Sequence, residues 1–225
     1  MGTIYFVRHG QASLGAENYD QLSPLGILQS EQLGRYFEQQ NIQFEAVYTG
    51  SLQRQKQTLA ALASHANQAD WISNAIQRTG LNEYDSESVI KSVNNGSLDL
   101  PHNSDSYKQY FLLLRKGVQA WINAETQPAN LPTFEVFKNN ILAVMKEIQA
   151  SHTGDVLVVS SGGPISISIA HLLGCEPLGA IELNLRLRNS SISEVHYHPK
   201  RLSVISFNTL PHLAQLPQAD WWTYA

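Results

Sequence analysis

Residues 1–13 read MGTIYFVRHGQAS, a short apolar run that ends in an arginine and a histidine. Residues 3–7 are rich in β-branched and aromatic side chains, which is typical of a central strand of a parallel sheet that is apolar on both faces. Arg8 and His9 follow directly, and Gly10 allows another backbone segment to approach closely. The sequence therefore predicts a guanidinium and an imidazole at the carboxyl end of a buried strand.

Strand and helix patterns alternate along the rest of the chain. Helices are predicted at about 24–39, 51–65, 104–124, 133–150 and 164–173, and further strands at 44–48, within 71–79, and at 155–160, 192–197 and 202–207. This alternation favours a three-layer α/β/α sandwich with a mostly parallel central sheet, formed by residues 1–225 as a single domain. Residues 84–131 are predicted to form an insertion that caps one edge of the core.

The composition narrows the possible functions. The net charge is −4, from 15 Lys and Arg against 19 Asp and Glu, and no basic cluster alternates with aromatic residues, so nucleic-acid binding has little support. The sequence shows neither a membrane-spanning apolar run nor a signal-peptide pattern, and we expect no membrane association. Cys175 is the only cysteine, which rules out an internal disulfide and favours a reducing compartment. A cytoplasmic location is expected.

The residue types at two predicted strand ends suggest anion chemistry. An imidazole can act as a nucleophile or base near neutral pH, and a guanidinium binds phosphate through a bidentate fork. The sequence Ser-Ser-Gly-Gly at 160–163 follows a second predicted strand, and ligands of such sheets bind beyond the carboxyl ends of strands. The Arg-His pair alone leaves a second interpretation open, in which His9 caps the strand and Arg8 reaches solvent.

A wider pattern runs through the chain in six segments. They are FVRHGQAS at 6–13, YDQLSPLGILQSEQLG at 19–34, VYTGSLQRQKQTLAAL at 47–62, LNEYD at 81–85, LVVSSGGPIS at 157–166 and SFNTLPHL at 206–213. Together, and in this order, they resemble the histidine phosphatase superfamily, also called the phosphoglycerate-mutase-like family. The resemblance covers nearly the whole chain.

The resemblance implies a metal-independent phosphatase that hydrolyses a phosphomonoester without a cofactor. It implies that His9 accepts the phosphoryl group, that Arg8 and Arg54 clamp the phosphate, and that Glu83 protonates the leaving group. The physics agrees, because phosphoryl transfer depends on in-line positioning and on charge stabilisation, and an alkoxide leaves poorly unless it is protonated. The second nitrogen of His9 should donate to a backbone carbonyl, which would fix its tautomer. The expected partner is a small phosphorylated substrate or a phosphoprotein.

One position departs from the family pattern. Where the family carries a second histidine in Ser-His-Gly-Gly, this chain has Ser161. Ser161 and the backbone N–H of Gly162, at a predicted helix start, are still expected to bind phosphate. A second interpretation is that Ser161 only caps that helix. Losing one donor typically costs about 10²–10³ in rate, so a slower phosphatase is one hypothesis. His212 is a candidate to compensate for the missing histidine.

Two alternative functions stay open at this stage. The first is a phosphate-ligand-binding protein of the same fold with little turnover, which the serine at position 161 suggests. The second and less favoured is a phosphoglycerate mutase, because Glu83 is followed by Tyr-Asp-Ser-Glu rather than by the mutase signature Arg-His-Tyr-Gly. Further candidates for substrate contact are Asn18 and, at the entrance of the site, Tyr107, Tyr110 and Arg115.

Overall fold

The computed structural model describes residues 1–13, 20–66, 68, 70–94, 96 and 104–224. Within them, six strands form one sheet in the order β3-β2-β4-β1-β5-β6. The strands are β1 (Gly2–Arg8), β2 (Ala46–Thr49), β3 (Ile76–Gln77), β4 (Val156–Ser160), β5 (Ile192–His198) and β6 (Arg201–Thr209). The first four strands pair in parallel, whereas β5 is antiparallel to both β1 and β6. The prediction of an α/β fold with a mostly parallel sheet is confirmed.

Helices cover both faces of this sheet. They are α1 (Pro24–Gln39), α2 (Gln53–His65), α3 (Asp70–Ser73), α4 (Ser86–Lys91), α5 (Ser104–Ile122), α6 (Phe134–Ser151), α7 (Gly162–Leu172), α8 (Gly179–Arg186) and α9 (Gln218–Trp221). Short 3₁₀ turns lie at Thr79–Leu81 and Pro211–Leu213. None of the helices within the described ranges combines the length and the apolarity needed to cross a membrane.

The alternation of side chains along β1 explains the three layers. Phe6 points to one face, where it joins a core that contains Ile148 of α6 and Ile169 of α7. Val7 points to the other face, where the core contains Leu33 of α1 and residues of α2. Successive strand residues face opposite sides of a sheet, so a strand that is apolar at consecutive positions needs a helical layer on each side. The prediction that β1 is buried on both faces is confirmed.

The parallel register brings two chemically important strand ends together. Arg8 on β1 lies opposite Ser160 on β4, and the N–H of His9 donates to the carbonyl of Ser160 at 2.9 Å. Gly10 then passes so close to α1 that a Cβ atom there would lie 2.2 Å from the carbonyl oxygen of Gly26. The expected close approach at Gly10 is therefore a contact with the first turn of a helix.

Two helix starts differ from the sequence predictions. Helix α2 begins at Gln53 rather than at a cap by Ser51, because the Asp20 carboxylate accepts from the N–H groups of Gln53 and Arg54. Ser51 instead bonds to the side chain of Asn82. Helix α7 begins at Gly162, two residues before the predicted start. The start of α2 is thus fixed by a tertiary contact that local cap signals do not carry.

The short strand expected within 71–79 is present as Ile76–Gln77, and residues 71–73 before it belong to the helical turn α3. In the described part of 84–131, helices α4 and α5 contribute Val89, Val118 and Trp121 to a third apolar cluster. Phe137 of α6 and Ile181 of α8 belong to the same cluster. This segment therefore packs against the core through its own apolar face.

The contact at Gly10 generates a stability prediction. Replacement of Gly10 by alanine should lower the free energy of unfolding by about 2 kcal/mol, because a methyl group would press on the backbone of Gly26, which cannot rotate away. Chemical denaturation measures the change. Gly96→Ala is the control and should change stability by less than about 0.5 kcal/mol, since nothing lies closer than 3.5 Å to a Cβ there. Equal stability of the two variants would contradict the prediction.

Candidate active site

His9 sits at the end of β1 with its ring and its backbone both held. Its side chain is buried, and Nδ1 lies 2.7 Å from the carbonyl oxygen of Gly10. A carbonyl only accepts, so Nδ1 carries the proton and donates, which leaves a lone pair on Nε2. The carbonyl of His9 accepts from the side chain of Asn189 and from the N–H of Ser190. The hydrogen bond expected from one ring nitrogen to a backbone carbonyl is present.

The electrostatic environment keeps this imidazole neutral. Burial is the main cause that lowers the pKa of His9 well below its usual value, and the positive charges of Arg54 and Arg8 lower it further. The hydrogen bond to Gly10 opposes this shift. A neutral imidazole with a lone pair on Nε2 is the form that can attack phosphorus.

Two buried guanidinium groups surround the imidazole. Nε of Arg54 donates to Nε2 of His9 at 3.2 Å, and Nη1 of Arg54 donates to the Asp20 carboxylate at 2.9 Å. Nη1 of Arg8 donates to the carbonyl of Leu187. Because their partners fix both arginines, the cations are already in place for an anion, and little reorganisation is needed when one binds. A phosphoryl group at Nε2 of His9 would face the same N–H of Arg54.

The spacing of the motif on α2 follows from helix geometry. Arg54 and Thr58 are four residues apart, so both point to the same side of the helix. Thr58 accepts from the N–H of Gly10 at 3.0 Å, while Arg54 reaches the ring of His9. One turn of α2 therefore holds the loop at Gly10 through Thr58 and places the Arg54 cation at Nε2 of His9.

Glu83 lies close to these groups, after the turn Thr79–Leu81. Its Oε2 accepts from the N–H of Gly163 at 2.9 Å, and its Oε1 accepts from the N–H of Tyr84 at 3.3 Å. Burial raises the pKa of Glu83, while the bond from Gly163 and the charges of Arg54 and Arg8 oppose the rise. A carboxyl group with a raised pKa holds its proton at a higher pH than usual, which suits a proton donor.

Ser161 and Gly162 lie at the start of α7. Ser161 is fully buried, and its hydroxyl oxygen accepts from Nε2 of Gln55 at 2.9 Å. The hydroxyl makes no cap bond to α7, so the interpretation of Ser161 as only a helix cap is wrong. At Gly162 a Cβ atom would lie 2.1 Å from the side-chain oxygen of Asn184. A larger residue at position 162 would displace that amide.

A cavity of about 950 Å³ opens in front of this group. Arg8, Arg54, Glu83 and Gly163 line it, whereas His9, Ser161 and Gly162 are not among its lining residues. The three candidates for its entrance also line the cavity: Tyr107, Tyr110 and Arg115. The structure therefore brings two arginines and one carboxyl group to a single cavity, and one of these arginines, Arg54, contacts the imidazole of His9.

The two remaining candidates are His212 and Asn18. His212 does not line the cavity. Its Nε2 lies 3.0 Å from the hydroxyl of Ser190, and burial lowers the pKa of His212 to about 3. It contacts the segment that holds the backbone of His9, so it is not placed to compensate for the missing histidine by touching phosphate. Asn18 lies outside the described residues.

The sequence reasoning missed two residues that organise the site. Asp20 joins the start of α2 to the guanidinium of Arg54, and Gln55 joins α2 to Ser161 and to the carbonyl of Leu81. Both lie in segments that resemble the family, next to residues already singled out. The sequence alone does not distinguish Gln55 from Gln53 and Gln57, and only the structure shows that Gln55 is the buried one.

No cluster of three or more His, Cys, Asp or Glu side chains suited to a metal ion occurs among the described residues. The positive charge in the cavity near His9 comes from arginine side chains. The arrangement can bind an anionic phosphate, present a nucleophilic nitrogen to it and supply a proton from a carboxyl group.

Comparison with known proteins agrees with this chemistry. The family model of the histidine phosphatase superfamily (branch 1) matches residues 4–210. The chain therefore belongs to this superfamily, as the six sequence segments indicated.

Individual relatives are distant but cover nearly the whole chain. A protein of Hydrogenobacter thermophilus named "Putative phosphoserine phosphatase 2" is 22% identical over 228 residues, which is 96% of this chain and 100% of that protein. A phosphoserine phosphatase of Entamoeba histolytica, solved with phosphoserine, has a TM-score of 0.59 at 18% identity and covers 95% of this chain and 100% of that one. A phosphoglycerate mutase of Bacillus anthracis has a TM-score of 0.63 at 19% identity, with 95% of each chain covered. At these identities the solved structures show a shared fold.

The bonds of Gln55 lead to a second stability prediction. Gln55→Leu should lower the free energy of unfolding by about 2 kcal/mol, because it removes the buried donor to the Ser161 hydroxyl and one of the two donors to the Leu81 carbonyl. Urea denaturation measures this loss. The matched control is Gln53→Leu at an exposed position of the same helix, which should cost less than about 0.5 kcal/mol. A Gln55→Leu protein as stable as the control would show that this network contributes little.

Proposed function

We propose that this member of the histidine phosphatase superfamily is a metal-independent phosphatase that forms a phosphohistidine on Nε2 of His9. The observation that carries the proposal is the state of the imidazole. It is buried and neutral, its Nδ1 is bound to the Gly10 carbonyl, and its Nε2 lies beside the Arg54 guanidinium. A structural histidine would not need one arginine bonded to its Nε2 and the charge of a second arginine nearby.

In the first step, Nε2 of His9 attacks phosphorus while Arg8 and Arg54 stabilise charge on the phosphoryl oxygens. The nitrogen–phosphorus bond forms as the ester oxygen–phosphorus bond breaks. The departing oxygen takes the proton of the Glu83 carboxyl group, so that an alcohol leaves rather than an alkoxide. The products of this half-reaction are the alcohol, a phosphorylated His9 and an ionised Glu83.

In the second step, a water molecule attacks the phosphohistidine. The ionised Glu83 carboxylate accepts a proton from this water, the oxygen–phosphorus bond forms, and the nitrogen–phosphorus bond breaks. Inorganic phosphate leaves, and both His9 and Glu83 return to their starting states. Glu83 acts as an acid and then as a base, and its raised pKa favours both the protonated form that the first step needs and proton uptake in the second.

In this proposal Ser161 and Gly162 support the phosphate from the start of α7. The bond from Gln55 uses a lone pair of the Ser161 oxygen, so the hydroxyl keeps its proton for donation. A neutral hydroxyl in place of a histidine supplies less positive charge, and we propose a reduced rate for this reason.

The same feature favours one alternative, a phosphate-ligand-binding protein with little turnover. A mutase is less favoured, because Glu83 is followed by a sequence that lacks the mutase signature. The similarity to a protein named as a phosphoserine phosphatase supports the phosphate monoester of an alcohol, rather than a phosphoprotein, as substrate. We also propose that residues 84–131 act as a cap on a single domain, and that the protein works in the cytoplasm, where the exposed Cys175 would stay reduced.

Hydrolysis of p-nitrophenyl phosphate in the presence of a chelator tests the proposal. The native protein should turn over, and His9→Ala should reduce kcat at least about 10³-fold because no nucleophile remains. His171→Ala, at an exposed position on α7, is the matched control and should keep native activity. An intact His9→Ala activity would rule out the mechanism. A folded native protein without turnover would favour the binding function.

The pKa shifts of the two groups predict an acidic-to-neutral optimum. Because the pKa of His9 is lowered, kcat/KM should rise with pH only through that low value and then stay level. Because the pKa of Glu83 is raised, the proton donor should persist to a higher pH than an ordinary carboxyl group, and activity should fall as the pH rises through that value. Activity that still increases at alkaline pH would argue against Glu83 as the donor.

Glu83→Gln extends this pH prediction. With ethyl phosphate, kcat of the variant should be about 10²–10⁴-fold lower, since an alkoxide leaves only with a proton. The fall in activity at alkaline pH should disappear in the same variant. The loss should be smaller with p-nitrophenyl phosphate, whose leaving group is stable as an anion. Glu87→Gln removes an exposed carboxylate four residues away and should leave both rates unchanged.

A further inference from the structure

The cavity extends well beyond the space that a phosphate needs. Arg8, Arg54 and Glu83 line one part of it, and the rest lies against α5, α7 and α8. A volume of about 950 Å³ is at the upper end of pockets that enclose drug-sized ligands, about 300–1,000 Å³. The part of a substrate that leaves with the ester oxygen, next to Glu83, would occupy this extension.

The walls of the extension are mainly apolar. Helix α5 contributes Phe111, Leu114 and Val118, α7 contributes Ile167, and α8 contributes Ile181. Val118, Ile167 and Ile181 belong to the buried cluster between α5 and α6, so the wall is a face of a packed core. Such a wall does not depend on the conformation of an isolated loop.

Positive charge on the lining is either matched or placed at the phosphate end. Arg115 pairs with Glu182, and Lys108 pairs with Asp105. Arg186 also lines the cavity and directly precedes Leu187, whose carbonyl accepts from the guanidinium of Arg8. With Arg115 and Lys108 paired, most of the surface that α5, α7 and α8 offer to a substrate is apolar.

A small hydrophilic alcohol would gain little from this wall. Serine or glycerate would leave most of the apolar surface in water, and an apolar group would remove that surface from water, which is favourable. The volume of the cavity, its mainly apolar wall and its continuity with Glu83 all favour a large apolar leaving group.

Building on the proposed function, we propose that the natural substrate is the phosphate monoester of a large apolar alcohol, alkyl or aromatic, which lies between α5 and α8. The phosphate binds at Arg8 and Arg54, Glu83 faces the bridging oxygen, and the hydrocarbon part packs against Leu114 and Ile181. Small polar phosphate esters such as phosphoserine would be poor substrates.

A series of primary alkyl phosphates tests this inference. Ethyl, butyl and hexyl phosphate have leaving groups of nearly equal acidity, so differences in kcat/KM report contacts of the chain. We expect an increase of at least about 10-fold from ethyl to hexyl phosphate. Hexyl phosphate should also exceed both 6-hydroxyhexyl phosphate and L-phosphoserine, since a terminal polar group would lose its water against the apolar wall.

Two variants at neighbouring positions of α5 test whether the alkyl chain contacts the cavity wall. Leu114→Asp places a carboxylate on the cavity wall and should lower kcat/KM for hexyl phosphate about 10-fold or more while ethyl phosphate changes little. Leu113→Asp is the matched control, because Leu113 is similarly half-buried but does not line the cavity. Leu114→Ala serves as a milder variant if the charged one is unstable. It should show the same selective loss.

The outcomes separate this inference from the proposed function. Equal kcat/KM for the whole alkyl series, with activity still lost in His9→Ala, would overturn the apolar substrate and leave the phosphatase intact. If the native protein hydrolyses none of the esters, the phosphatase proposal fails, and binding of the same series to the native protein tests the cavity. Tighter binding of hexyl than of ethyl phosphate would support the apolar cavity, and equal affinity would overturn it.

Discussion

The hydrogen bond between Nδ1 of His9 and the carbonyl of Gly10 is the constraint on which the site depends. It joins a side chain to its own strand end, so the ring can neither rotate nor exchange tautomers without losing a buried bond. Gly10 is itself held in place, because it lies against the backbone of Gly26 and its N–H donates to the hydroxyl of Thr58. These contacts position the carbonyl that accepts from Nδ1 and so leaves the lone pair of the imidazole on Nε2.

Gln55 connects the helix that carries Arg54 to the segment that precedes Glu83. Its amide donates to the Leu81 carbonyl, two residues before Glu83, and to the hydroxyl of Ser161. It stands next to Arg54, which touches His9. A displacement of α2 would consequently move the cation, the serine and the segment before the carboxyl group together. This coupling fixes the relative positions of His9 and Glu83, although the two residues are distant in the sequence.

The parts of this structure that the sequence predicts are those governed by local pattern. The apolar run of β1, the alternation of strands and helices, and the strand ends at Arg8 and at Ser160 all follow from periodicity and from the rule that sites form at carboxyl ends. The positions of Arg54 and Glu83 came from resemblance, and the structure shows their physical basis. The cap of α2 could not be predicted, because Asp20 is remote in sequence and Ser51 offers a stronger local signal.

Burial shifts the two titratable groups of the site in opposite directions, and this shows how the site divides its tasks. Removing water lowers the pKa of an imidazole and raises that of a carboxyl group, so the same apolar surroundings keep His9 neutral and help Glu83 hold a proton. Asp20 offsets one of the two arginine charges, so the group keeps a net positive charge when His9 and Glu83 are both neutral, and an anion is the complementary ligand. In the proposed mechanism the chemistry takes place at β1, α2 and the segment at Glu83, whereas α5 and α8 form the cavity wall. We therefore expect substitutions in the wall to change the choice of leaving group without altering the state of the imidazole.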